Sequence, residues 1–321
     1  MFRTDGISRC HDITWVYNAK ERVCSGRTVY RDVMDDKERV YFPYLLCDPS
    51  MKFCLVNGIQ QNYIDIENRG LAYGDGLFTT AKILNGNVQH LSAHIERLIF
   101  GCEKLGINSP SSGELKLQLI SIAKNHSLAV LKVMVIASSG GRGYARSKSN
   151  CHDLIIMVHD YPKHYDELAH TGIRLGISKQ KVGLNPMLAG LKHLNRLEQV
   201  LLRQELSTRD EDDLLVTNVN NEVIEAISAN VFFFLNEKLY TPDVTISGVN
   251  GIMRQAILQR YPSTIVKPVS INEIAQVQAM FVCNCVMGVI PIANFNGKEL
   301  PLDLPLGLRK DVNSKASNEA T

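Results

Sequence analysis

The chain has 321 residues, 45% of them hydrophobic and 21% charged, with a net charge of only +2. That balance supplies a sizeable apolar core, and its scattered basic residues leave no electrostatic footprint for nucleic acid or for a membrane surface. No apolar run reaches the roughly 20 residues of a bilayer-spanning helix, so small-molecule partners are expected, with no nucleic acid and no membrane.

Eight cysteines, at 10, 24, 47, 54, 102, 151, 283 and 285, show no CxxC pair and no zinc-like spacing with histidine. The start lacks a charged-then-apolar leader pattern. The reading is therefore free thiols in a reducing cytosol, a cytoplasmic location and no metal.

Residues 1–50 alternate charges ("RDVMDDKERV") and hold no helical period, so they read as an appended N-terminal segment set apart from the rest of the chain. From Met51 the pattern sharpens. "KFCLVN" reads as a strand, and "LFTTAKIL" and "NVQHL" flank Asn85-Gly86, a pair suited to two turn residues with φ > 0, which predicts a hairpin over 77–90. Ser92 is placed to cap a helix whose Ile95, Leu98, Ile99, Cys102 and Leu105 keep the 3.6 period up to Gly106. A second helix is expected over 113–124. Strands at 131–137 and 153–159, separated by "SSGGRGYARSKSN", complete a small α+β domain over 51–160.

The polar, turn-rich stretch 161–171 reads as an interdomain connection. The second domain, 172–308, opens with "IRLGIS" and continues as a helix at 193–206, strands "DLLVTN", "EVIEA" and "NVFFFL", a helix at 251–260 and strand "AMFVCN". Residues 309–321 read as a solvated tail.

Several chemistries fall away because the chain has no GxSxG elbow, P-loop, HExxH or complete GxGxxG. Four positions remain that combine. Lys192 stands among small and apolar residues that would desolvate its amine, lower its pKa and make it nucleophilic. Arg97 offers a planar fork suited to phosphate. Glu225, beside an apolar strand, needs a cation if it is buried. "SGVNGIM" sets two glycines before a helix whose first N–H groups can hold an anion. Each has a plainer alternative: a helix start, a solvated helix face, an exposed residue after a hairpin, an ordinary turn. Arg142, in the 138–150 loop, is a further candidate for a substrate carboxylate. An amine, a carboxylate and a phosphate site are together what pyridoxal 5'-phosphate requires.

The strings "RGLAYGDGLFTTAKI", "LSAHIERL", "SGGRGY", "GLKHLNRLEQVLL", "EAISANVFF" and "GVNGIMRQAIL" resemble those of the fold-type IV pyridoxal-phosphate enzymes, in order and at family-like spacing from Met51 to Pro291. The resemblance implies an α+β protein with a small domain and a larger domain built on a barrel-like sheet. It makes Lys192 the residue that bonds the cofactor aldehyde, Arg97 a phosphate ligand and Glu225 the partner of the ring nitrogen. Val249 would pack on the ring, and Ile252 and Met253 would present N–H groups to the phosphate. Where aminotransferases of the family place a phosphate-binding threonine, this chain has Cys285 after Asn284. Within the family the strings are most similar to lyases acting on 4-amino-4-deoxychorismate in folate biosynthesis, which implies that Thr80 relays a proton as pyruvate departs from 4-aminobenzoate. Branched-chain or D-amino-acid transamination on the same fold is the alternative. A homodimer is implied as well.

Overall fold

The computed structural model describes residues 9–10, 13–14, 16–18, 21–24, 28–31, 50–148 and 151–316. The chain divides into two compact units, Met1–Asp48 and Pro49–Thr321. In the first, Arg9–Cys10 pairs with Ile13–Thr14, and Val16–Asn18, Glu21–Cys24 and Thr28–Arg31 form a three-stranded antiparallel sheet.

The second unit is built on two sheets. One is antiparallel, with strands in the order Ile59–Gln60, Met51–Val56, His152–His159, Leu128–Ala137, Gly76–Leu84 and Asn87–Val88. Asn85 and Gly86 turn the hairpin with φ of 51° and 75°, the left-handed pair that this turn demands. Along Gly76–Leu84 the residues alternate: Leu77, Thr79, Ala81 and Ile83 are buried, whereas Phe78, Thr80 and Lys82 are only half-buried on the other face. The buried face packs against helices Leu91–Leu105 and Ser112–Ala123 through Ile95, Leu98, Cys102, Leu115 and Leu119.

Ser92 does not cap the first of these helices. The cap position is His90, in the left-handed region at φ 55° and without a side-chain cap bond. The loss is small: a cap is worth about 1 kcal/mol, whereas burying each large apolar side chain is worth about 1.5–3 kcal/mol. Packing therefore holds this helix, and Gly106 ends it at φ 65° as expected.

The second sheet is mixed and has nine strands. Its order runs Val223–Ala226, Asp213–Asn218, Ile173–Val182, Gly288–Phe295, Ala279–Asn284, Asn230–Leu235, Lys238–Pro242, Ile265–Lys267, with Lys298–Glu299 paired onto Gly288–Phe295. The first strand bends back toward the last: the Val223 N–H donates to Val269 O at 2.7 Å, just beyond Ile265–Lys267. This curl gives the barrel-like sheet, and Leu215, Val231, Phe233, Met280, Val282 and Ile292 fill its core.

Three stretches differ from expectation. The 161–171 connection contains a helix, His164–Thr171, whose Tyr165, Leu168 and Ala169 pack on the second core. The helix expected from 193 begins only at Leu197. The segment read as a solvated tail belongs, up to Ala316, to a helix Asp303–Ala316. Leu308 is buried there, Arg309 donates to Val289 O at 2.5 Å, and Asp311 accepts from Arg260 and Tyr261. Residues 317–321 lie outside the described residues. No helix among the described residues is long and apolar enough to cross a membrane.

Candidate active site

The late start of the Leu197 helix leaves 190–194 extended, and both edges of this stretch are used. On one side Gly190 donates to Gly248 O (2.9 Å) and Asn250 donates to Gly190 O (3.1 Å). On the other, Phe78 donates to Lys192 O and Leu194 to Gly76 O, both at 2.9 Å. Lys192 is thus fixed at the middle of a seam that joins the first sheet to the 248–250 loop. Its Nζ lies 4.8 Å from the centroid of the Phe78 ring. Burial, and then the guanidinium groups of Arg196 and Arg97, push the amine down to about 8, with Glu225 pulling the other way. An amine in that range is a nucleophile for an appreciable fraction of the time at neutral pH.

Glu225, only 8% exposed, accepts the Val249 N–H on Oε2 at 3.0 Å. Asn230 holds the carbonyl of the same residue, donating from Nδ2 to Val249 O at 2.9 Å. Val249 is gripped from both sides and is itself buried. Gly248, at φ 87°, allows this approach, since a Cβ there would sit 2.5 Å from Ile224 Cγ2. Burial pushes the Glu225 carboxyl up, and among the described residues no ion pair holds it.

The third group of residues could hold an anion. Helix Ile252–Arg260 begins after Gly251 with no side-chain cap, and Ile252 and Met253 are buried in its first turn. Gly251 is required here, because a Cβ would come within 1.9 Å of Asn230 Oδ1. Arg97 is half-buried and donates to Asn250 O at 2.6 Å; burial lowers its pKa, and no carboxylate among the described residues pairs with it. Nearby, half-buried Cys285 packs against the cluster that includes Met253 and Ile257, and burial pushes its thiol up. Asn284 does not point a donor inward: it accepts Val286 and Met287 N–H groups at 2.9 and 3.0 Å and donates to Ser228 O at 3.1 Å, shaping the turn that carries Cys285. A cavity of about 820 Å³ opens beside these residues, lined by Arg97, Lys192, Asn250 and Ile252.

Lys192, Arg97, Glu225, Val249, Ile252 and Met253 are therefore brought together. Thr80 is half-buried on the same sheet face as Phe78, directly across from Lys132. Arg142 is exposed and does not line the cavity with Lys192. Sequence reasoning missed Asn230 and Arg196, which donates to the carbonyls of Leu191 (2.8 Å) and His193 (2.9 Å) and so braces the seam. A polar residue opening the apolar strand "NVFFFL" was the only signal for Asn230. It also missed the buried pair of Thr79 and His94, whose Oγ1 and Nδ1 lie 2.5 Å apart.

The sequence model of the amino-transferase class IV family matches residues 76–295, more than half of the chain. The chain belongs to the amino-transferase class IV family. Among its relatives, an aminodeoxychorismate lyase of Vibrio harveyi is 32% identical over 256 residues, covering 78% of this chain and 94% of that protein. A D-alanine aminotransferase of Bacillus licheniformis is 25% identical, covering 79% and 91%. In structure, the chain is similar to the 4-amino-4-deoxychorismate lyase of Pseudomonas aeruginosa, with a TM-score of 0.77, 31% identity and coverage of 81% and 98%. The branched-chain amino acid aminotransferase of Escherichia coli shares the fold at a TM-score of 0.71 and 17% identity. The unpaired charges fit this class IV setting. An amine, a buried carboxylate and a guanidinium, none in an ion pair among the described residues, suit the aldehyde, ring nitrogen and phosphate of pyridoxal phosphate.

Proposed function

We propose that the chain is a pyridoxal-phosphate-dependent lyase that converts 4-amino-4-deoxychorismate to 4-aminobenzoate and pyruvate, a step of folate biosynthesis. The observation that carries this is the trio of Lys192, Glu225 and Arg97, without an ion pair among the described residues, in a chain 32% identical to an aminodeoxychorismate lyase across 94% of that enzyme. When bound, pyridoxal phosphate supplies an aldehyde for the substrate amine and a ring that accepts an electron pair. Everything else falls to the chain. Arg97 and the N–H groups of Ile252 and Met253 would hold the phosphate, and Val249 would lie against the ring. Glu225 would keep a proton on the ring nitrogen. Lys192, as a free amine, would remove the proton from the amine-bearing carbon. The enolpyruvyl group then leaves with its oxygen, and its methylene carbon must gain one proton to become pyruvate. Thr80, on the face that Lys192 overlies, relays that proton.

The test is direct: purified protein loaded with pyridoxal phosphate is given 4-amino-4-deoxychorismate, and 4-aminobenzoate and pyruvate should form in equal amounts. Transamination of D- or branched-chain amino acids with no 4-aminobenzoate would replace the lyase by an aminotransferase. A cytoplasmic homodimer belongs to the same proposal, supported by the family resemblance and checked by sedimentation.

A further inference from the structure

Asn250 stands just ahead of helix Ile252–Arg260 and its cap position, Gly251. An asparagine near a helix start ordinarily turns its side-chain oxygen onto the backbone N–H groups of the first turn. Here that oxygen is taken elsewhere. Asn250 Oδ1 accepts from Arg254 Nη1 at 3.1 Å and from Gln255 Nε2. Arg254 is itself buried and its Nη2 donates to Pro242 O at 2.9 Å, so the guanidinium is fixed where it meets Asn250. A guanidinium only donates. The amide atom that meets it must therefore be the oxygen, and the NH₂ group must face away from it.

Asn250 lines the cavity together with Arg97, Lys192 and Ile252, and among the described residues no hydrogen bond takes its Nδ2 donors. Its backbone is equally engaged with the site. The Asn250 carbonyl accepts from Arg97 Nη2 at 2.6 Å, and its N–H donates to Gly190 O at 3.1 Å, two residues before Lys192. One residue thus ties the Arg97 fork, the Lys192 seam and the anion-binding helix together. Capture of its oxygen by Arg254 and Gln255 also leaves the helix without a side-chain cap, so the first N–H groups stay open to a ligand.

We propose that Asn250 is a phosphate-binding residue, its Nδ2 donating to the cofactor phosphate beside Arg97 and the N–H groups of Ile252 and Met253. The inference rests on the proposed cofactor role of this cavity.

Two substitutions separate the donor from the acceptor. Asn250→Asp keeps an oxygen for Arg254 and Gln255 and removes the NH₂, whereas Asn250→Leu keeps the shape and removes both. The cofactor-free, full-length proteins are titrated with pyridoxal 5'-phosphate and with pyridoxal, which lacks the phosphate. A hydrogen bond to a charged oxygen is worth about 10- to 100-fold in affinity, so Asn250→Leu should bind pyridoxal phosphate that much more weakly and pyridoxal as wild type does. Asn250→Asp should lose at least as much for pyridoxal phosphate, because a carboxylate oxygen replaces the donor, while its melting temperature holds. In a crystal structure of the wild-type protein with pyridoxal phosphate bound, Nδ2 should lie within about 3.2 Å of a phosphate oxygen. A role confined to holding Arg254 gives the opposite pattern: Asn250→Asp binds pyridoxal phosphate as wild type does, and Asn250→Leu loses both ligands equally. That pattern, or an Nδ2 out of reach of the phosphate, would overturn the inference while leaving the cofactor role intact. A wild-type protein that binds no pyridoxal phosphate would overturn both.

Discussion

Two clusters of charge in this protein are built from similar side chains and treated in opposite ways. Asp75 receives Arg69 Nε at 2.8 Å and Arg146 Nε at 2.9 Å, with a second bond from Arg146 to its other oxygen. The two guanidinium groups give further N–H donors to the carbonyls of Gly143, Tyr144, Ala145, Leu105 and Gly106. Around Lys192, by contrast, among the described residues Arg97 has one backbone carbonyl, Glu225 one backbone N–H, and the amine the face of Phe78. A saturated cluster has nothing left to offer a ligand, and its output is a fixed 138–147 loop. An open cluster is costly to keep buried, and only an outside molecule of matching charge can complete it.

The comparison breaks most visibly at Lys192. Lys192→Ala should lower turnover by at least about 10⁴-fold, the upper end for one acid–base group, because the same amine also bonds the cofactor. Melting temperature should hold or rise, since burial and the nearby Arg196 and Arg97 outweigh the pull of Glu225 and make the charged amine costly to keep. Borohydride reduction followed by peptide mapping checks the attachment; cofactor found on a different lysine would remove Lys192 from the role.

Thr80→Val comes next. It keeps the shape and deletes the hydroxyl, so release of pyruvate and 4-aminobenzoate should drop about 10²–10⁴-fold. Any side transamination should survive better, because no enolpyruvyl group leaves in that reaction. Equal losses in both assays would make Thr80 a strand residue and nothing more.

The amine itself supplies a pH test. With Lys192 pushed down to about 8, only the fraction deprotonated attacks the aldehyde. Cofactor capture by the cofactor-free protein should rise about tenfold per pH unit well below 8 and level off above it, an increase of about 50-fold from pH 6 to pH 8. Stopped-flow absorbance measures it, and a rise continuing to pH 10 would mean an ordinary lysine. A smaller effect is expected of Glu225→Gln, which should retain cofactor yet lose at least about tenfold in turnover, near 1.4 kcal/mol of barrier, since an amide does not stabilise a protonated ring nitrogen. Unchanged turnover would sink that role.

The contrast between the clusters also separates what could be read from residues from what could not. Asn85-Gly86 announced its turn because the constraint is local, and the alternation of Leu77 to Ile83 announced its face for the same reason. Lys192, Arg97 and Glu225 were legible as misfits, each a charge in company that does not want one. The seam at 190–194 was not, because its partners at 76–78 and 248–250 are distant in the chain, while Leu194, Leu197 and Leu201 keep a helical spacing that local reading extends too far back. The same limit hid the Asp303–Ala316 helix: its hold comes from Val289, Arg260 and Tyr261, none of them neighbours in sequence. Asp75 was invisible too, since nothing beside it in "GDG" marks the carboxylate that two distant arginines share.

Asp75→Asn gives the smallest expected effect on chemistry and the sharpest contrast with Lys192→Ala. The amide keeps the shape but loses the charge that Arg69 and Arg146 share, so each guanidinium retains its backbone carbonyls and gives up its carboxylate. A hydrogen bond to a charged group is worth about 1.5–3 kcal/mol, and stability should fall by about that much. The pH dependence carries the sign. Burial alone would raise the Asp75 carboxyl, but the hydrogen bonds from Arg146 and Arg69 outweigh it and hold the group below the usual carboxylate range. A carboxyl lowered in the folded state adds stability above its unfolded pKa and loses it as pH falls through the folded one. Wild type should therefore lose stability on acidification below the ordinary carboxylate range more steeply than Asp75→Asn, so that the two denaturation midpoints converge in acid. Visible absorbance of the bound cofactor at neutral pH should be the same for both proteins. A variant as stable as wild type but unable to hold cofactor would mean that the saturated cluster also serves the open one, and the division between them would have to be redrawn.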